Sequence, residues 1–139
     1  MQKYIWIEKY SVGVKEIDRQ HQHFFETVND VIAMTGQEKV SVEDLLIKIT
    51  DLNNYAIYHF TTEENLFKHY AYPDAEEHVA AHNTYEEKID GFMAETEKEG
   101  VDTKKIIIEI AEFAGSWLVN HIMKMDQKYT EFMHNNGIR

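Results

Sequence analysis

The sequence predicts an all-α chain, an up-down-up-down antiparallel four-helix bundle behind an irregular N-terminal arm. Three observations carry this expectation. One proline and six glycines leave few places to break a helix. Apolar residues recur at alternating steps of three and four over four segments. The segments are joined by only about 4 to 8 residues, so each helix must reverse on the one before it. At 139 residues the chain has the size of one domain, divided into an arm over 1–16 and a bundle over 17–136.

The arm carries Trp6 and lacks helical periodicity. The first helix is expected over Ile17 to Met34, because Ile17, His21, Phe24, Val28, Val31 and Ile32 share one side, with Gly36 as its stop. Ser41 is placed to cap the second, with Glu43 and Asp44 favourable at the positive end of the helix dipole. Its inward seam reads Leu45, Ile49, Leu52, Ala56, His59, Glu63, Leu66. Pro73, which has no amide hydrogen to lose in a first turn, is expected to open the third. The seam of that helix reads His78, His82, Tyr85, Ile89, Phe92, and Gly100 ends the segment. Asp102 caps the fourth, whose stripe is Ile107, Ile110, Ala114, Trp117, His121, and Gly137 closes the chain.

Composition narrows the function. A net charge of -11 disfavours nucleic acid and anionic membrane, both of which attract basic patches. Without cysteine, thiolate sites, disulfides and iron-sulfur clusters are excluded, and any metal must be held by nitrogen and oxygen. No stretch of about 18 consecutive apolar residues occurs, and the first residues lack a signal-peptide core. The expectation is a soluble cytoplasmic monomer with a small or neutral ligand.

The seams also carry polar groups. His21, His59, His78, His82 and His121, with the carboxylates Glu63 and Asp126, fall among the Leu, Ile and Phe of the predicted core. The pairs His59/Glu63 and His78/His82 are spaced i, i+4, which puts both side chains on one helix face a turn apart. A single histidine on an apolar stripe is more often an ordinary hydrogen-bonded core residue. Five with two acids are different, because unpartnered buried carboxylates would cost several kcal/mol each. Imidazole and carboxylate donors suit transition metals of intermediate softness, and seven exceed the needs of one ion. The set therefore points to a two-metal centre. His23, turned roughly 200° from His21, is expected to face solvent. His69 and His134, near helix ends, are likewise placed outside the site. Asp126 follows His121 by five residues, about 140° beyond the seam on an ideal helix, so a π-type widening between them is expected.

These residues resemble the hemerythrins, specifically the single-domain bacterial ones, over nearly the whole length. The shared motifs are Asp18-x-x-His21, His59-Phe60-x-x-Glu63-Glu64, His78-x-x-x-His82 and Trp117-x-x-x-His121-Ile122-x-x-x-Asp126-x-x-Tyr129. The resemblance implies two iron ions, cycling between Fe2+ and Fe3+, with an oxo or hydroxo bridge. It assigns His78, His82 and His121 to one iron, His21 and His59 to the other, and Glu63 and Asp126 to both, leaving the second iron an open position for dioxygen. It further implies an apolar O2 pocket of Phe24, Phe25, Phe60, Trp117, Leu118 and Ile122, and hydrogen-bonding support from Asp18 and Tyr129. Phe24 departs from the family, which commonly carries an aliphatic residue there, often leucine. The implied function is reversible O2 binding for storage, transport or delivery, without catalysis. The competing readings are O2 or redox sensing through a partner and a di-iron oxidase or peroxidase. Oxygen-activating bundles use carboxylate-rich sets with Glu-x-x-His motifs, whereas histidine dominates here.

Overall fold

The computed structural model describes all 139 residues and contains helices, turns and no strand. Its helices are α1 (Lys15–Met34), α2 (Val42–Tyr70), α3 (Ala75–Thr96), α4 (Thr103–Lys124) and α5 (Thr130–Asn135). Short 3-10 turns at Glu8–Tyr10 and Asp126–Tyr129 lie in the arm and between α4 and α5. α1 packs against α2 and α4, and α3 packs against the same two, so the long helices form the expected antiparallel square. One continuous apolar core runs through it, including Val28, Leu45, Ile49, Ile89, Ile107 and Ile110.

Local chemistry accounts for most boundaries. Ser41 Oγ accepts the Asp44 amide at 3.0 Å and Asp102 Oδ1 accepts the Lys105 amide at 3.1 Å, as the capping expectation requires. α1 ends by tightening into successive three-residue turns, and Gly36 lies within them without a positive φ. Lys104 then donates to the carbonyls of Thr35 and Gln37, satisfying groups the helix end leaves free.

Pro73 does not open α3, which starts two residues later at Ala75. Ala71 closes α2 in the left-handed region at φ 57°, where its own amide and that of Tyr72 both bond Phe67 O. The chain then makes a β-turn from Tyr72 to Ala75, closed by the Ala75 amide on Tyr72 O at 3.2 Å. Proline's fixed φ suits the second position of that turn, and Asp74 at φ -99°, ψ 20° has the angles of the third position of a type I turn. An alanine at φ 57° carries a Cβ penalty that glycine escapes. Ala71→Gly is therefore expected to stabilise the protein by up to about 1 kcal/mol. Urea denaturation with an unchanged m-value checks this.

The arm is better anchored than an irregular segment suggests. The Tyr4 amide donates to Asn29 Oδ1 at 2.8 Å and Asn29 Nδ2 returns a bond to Tyr4 O at 2.9 Å. The Tyr4 ring fits against Gly115, where a Cβ would come within 2.2 Å of it. Farther along, Gln127 donates to Lys9 O, Thr130 to Val12 O, and His134 Nε2 to Gly13 O. The arm thus ties α1 to the turn that follows α4. The stretch Thr103–Asn135 contains an 18-residue window of mean hydropathy 1.3, long and apolar enough to cross a membrane by composition, with half of that window buried in the bundle.

Candidate metal centre

All seven donor candidates converge in the half of the bundle nearest the α2–α3 connection. α1 supplies His21, α2 supplies His59 and Glu63, α3 supplies His78 and His82, and α4 supplies His121. Asp126 comes from the 3-10 turn after α4. None of the seven is more than 6% exposed.

The helix does not widen into a π-turn between His121 and Asp126. The Met125 amide still bonds His121 O at 2.9 Å in the regular i to i-4 pattern. The ladder then stops, with Met125 at φ -120°, ψ -53°, and the backbone restarts as a 3-10 turn beginning at Asp126. A break, rather than an extra residue in the spiral, carries the carboxylate round to the seam.

The distances divide the donors into two groups sharing carboxylates. Glu63, His78, His82 and His121 form one, and His21, His59, Glu63 and Asp126 the other, with donor atoms in each within 4.8 Å of one another. Glu63 Oε1 lies 3.2 Å from His82 Nε2 and 3.3 Å from His59 Nε2, so a single oxygen faces both groups. Asp126 instead divides its oxygens. Oδ1 is 2.9 Å from His78 Nε2 and 3.1 Å from His121 Nε2, while Oδ2 is 2.9 Å from His21 Nε2.

His78 Nε2 and His121 Nε2 lie 3.1 Å apart and pair with each other, but the other facing atoms are close and unpaired. The Nε2 atoms of His21, His59 and His82, Glu63 Oε1 and both Asp126 oxygens are buried and have no partner with hydrogen-bond alignment. Buried polar atoms are nearly always satisfied, so such a concentration of orphans marks donors aimed at common points rather than at each other. The protonation states agree. Burial and the Asp126 charge push the Glu63 carboxyl up, but the facing His59 and His82 imidazoles hold it below its ordinary value. Burial likewise raises Asp126, and His121, His21 and His78 bring it well below the usual range. Burial, helped by His59, lowers His21 and favours its neutral form. Burial also opposes the charged form of His121, but Asp126 and Glu63 leave its pKa raised. Anionic oxygens among imidazole nitrogens are the donor set a pair of divalent or trivalent cations requires, and the site fits one.

Surrounding groups fix the donors. His59 Nδ1 donates to Gln20 Oε1 at 2.8 Å, and Gln20 is itself oriented by donating to Glu16 and Thr62. His82 Nδ1 donates to Glu64 Oε2 at 2.8 Å. Each bond places the proton on Nδ1 and turns the Nε2 lone pair inward. Tyr129 Oη donates to Glu63 Oε2 at 2.5 Å, and burial with the two carboxylates keeps the phenol's pKa well above its ordinary value. Tyr129 therefore supports a donor as expected, but Asp18 does not. Its oxygens accept Ser11 Oγ and the Val12 amide, clamping the arm to α1. Gln20 escaped sequence reading because its partner lies 39 positions away. Glu64 was visible in the motif, but its direction was not.

Rings cover the imidazoles. Phe60 stacks on His82 with centroids 4.0 Å apart, Trp117 stacks on His121 at 4.3 Å, and Phe24 meets His59 edge-on at 6.1 Å. Leu118 and Ile122, on α4 with Trp117 and His121, are buried. Phe25 instead joins Tyr4, Trp6 and Tyr10 of the arm. His23 is exposed against Tyr55, His69 is exposed, and His134 holds the arm, so the three histidines set aside stay outside the centre.

The profile of the hemerythrin HHE cation-binding domain matches residues 12–132. The chain belongs to the hemerythrin family. It is 25% identical over 130 residues to a bacteriohemerythrin of Clostridium acetobutylicum, covering 92% of this chain and 99% of that protein. A myohemerythrin of Theromyzon tessulatum is 29% identical over 126 residues, covering 91% and 90%. A crystal structure of wild-type hemerythrin superimposes with a TM-score of 0.81 at 23% identity, over 94% of this chain and 97% of that one, which establishes the shared fold. As a hemerythrin the chain has a di-iron centre as its cofactor, and the buried His/Glu/Asp cluster is able to hold it.

Proposed function

We propose that this hemerythrin binds dioxygen reversibly, for storage, transport or delivery in the cytoplasm, and does not turn it over. The observation that carries the reading is the unequal division of imidazoles about shared carboxylates: His78, His82 and His121 on one side, His21 and His59 on the other. Glu63 and Asp126 would hold both irons, and the two-histidine side would have one protein donor fewer. When bound, the iron pair supplies the electrons that make dioxygen binding favourable and reversible.

The chain's own residues supply the rest. Phe24, Phe60, Trp117, Leu118 and Ile122 wall the donors with apolar surface and exclude water, which protects a reversible complex from side reactions. Phe25 seals the outer side through the arm aromatics. Tyr129 keeps its proton and donates a hydrogen bond to Glu63, holding that carboxylate in place. Only two carboxylates face the centre, and this restricted negative charge favours carriage over oxidative chemistry.

Optical spectra of the anaerobically reduced, iron-loaded protein test the proposal, recorded before oxygen, after oxygen and after its removal. A visible band that appears with oxygen and disappears on deoxygenation is expected. One-way conversion to the oxidised protein would favour the oxidase or peroxidase reading.

A further inference from the structure

The centre is sealed, with His21 and His82 at 0% exposure and His59 and His78 at 1%, so a reductant in solution cannot touch most of its donors. Phe60 over His82 and Phe67 beside His78 are themselves buried and lead nowhere. Trp117 differs. Its indole lies nearly parallel to the His121 ring, 11° between planes at 4.3 Å, and His121 Nε2 is 3.1 Å from Asp126 Oδ1 inside the centre. Trp117 also reaches the surface, lining a groove of about 660 Å3 between α3 and α4 with Phe92, Phe113, Lys88, Glu109 and Glu112. It joins an outer cavity to a donor imidazole in one step. Trp6, the other tryptophan, lies farther from a donor, 6.5 Å and tilted 32° from His21.

We propose that Trp117 is the point of electron entry to the centre: a one-electron donor arriving in the groove passes its electron through the stacked Trp117 and His121 rings. The inference rests on the di-iron reading of the site. An oxygen binder that works in its ferrous form is idle once oxidised, and return to service requires an outside reductant. Tunnelling weakens steeply with distance and most steeply across gaps, so a parallel ring stack from groove to donor is the favoured route. Each event oxidises one donor molecule by one electron and reduces one ferric ion to ferrous, with no heavy atom transferred. A second event completes the pair. Glu109 and Glu112 beside the aromatic rings, on a chain of net charge -11, favour a cationic planar donor.

The test is anaerobic stopped-flow reduction of the oxidised, iron-loaded full chain by methyl viologen radical cation. Trp117→Leu should slow the bimolecular reaction severalfold or more. Trp117→Phe, which keeps a ring over His121, should recover part of the rate, and Trp6→Phe should match wild type. Because Trp117→Leu removes packing as well, Glu112→Lys provides a second variant: it leaves the ring stack intact and should slow the cationic probe, with a weaker salt dependence than wild type. In the Trp6→Phe protein the remaining tryptophan reports the stack directly, and its emission should be quenched by cobalt(II) loading but not by zinc(II). Equal reduction rates in all variants with an intact ferric spectrum, or emission insensitive to cobalt(II), would overturn Trp117 as the entry point. Failure of the wild-type chain to take up iron or to show a ferric spectrum overturns the di-iron reading itself, and the entry proposal with it.

Discussion

Glu63→Gln is expected to lower affinity for both ions by at least ~100-fold, beyond the range usual for losing a supporting hydrogen bond. The reason lies in the position of one atom. Glu63 Oε1 is within 3.3 Å of His59 Nε2 in one group and of His82 Nε2 in the other, so removing its charge weakens both at once. An amide keeps the size of the side chain and still accepts the Tyr129 hydroxyl, which leaves the packing intact. Metal content by elemental analysis after gel filtration, alongside thermal melts in chelator, separates the two effects. Metal content should collapse, while in chelator the variant melts below wild type only by the stability the depressed Glu63 carboxylate contributes, a gap that closes below about pH 4. A variant retaining both ions would remove Glu63 from the donor set.

Chelation of the wild-type protein should be the largest stability change available. Metal bound to the folded chain at a thousandfold excess over its Kd contributes about 4 kcal/mol per ion, so removing both should lower Tm by ten degrees or more. Acid should have the same effect by another route. Imidazole donors must be free of protons at Nε2, so affinity falls as pH drops below about 6.5. The chelated protein has its own pH dependence. His21 is lowered in the fold, so the unfolded chain takes up that proton first and stability falls as pH passes down through about 6.5. His121 is raised, so its contribution is fully present below about pH 6.5 and is lost as pH rises above that value through its folded pKa. Glu63 and Asp126 are both depressed, so their contribution is present above about pH 4 and is lost as pH falls below it. Chelated protein should therefore show a stability maximum near pH 6.5 and a steep loss below about pH 4, while loaded protein already loses stability between these values as its metal leaves. Melts across pH with and without metal check both curves.

Local spacing made much of this protein legible. A helix puts i and i+4 on one face, so His59/Glu63 and His78/His82 had to project together, and their place among Leu, Ile and Phe put them inside. Ser41 and Asp102 announced their helices because a cap is a contact three residues long. The sequence by itself thus determined four long helices, their antiparallel order and the inward seams that carry the five histidines and Glu63. Tertiary structure decided what depends on distant chain or on a departure from regular geometry. The break at Met125 aims Asp126, and nothing in its immediate sequence distinguishes a broken helix from a widened one. Pro73 went to a β-turn because Ala71 had already ended α2, a choice set by closing the connection rather than by proline's own preference. Gln20 meets His59, and Asp18 meets Ser11 and Val12, only after α1 has docked on α2 and the arm has folded back. Periodicity places a side chain on a face, but the partner it finds there depends on packing between segments that the sequence keeps far apart.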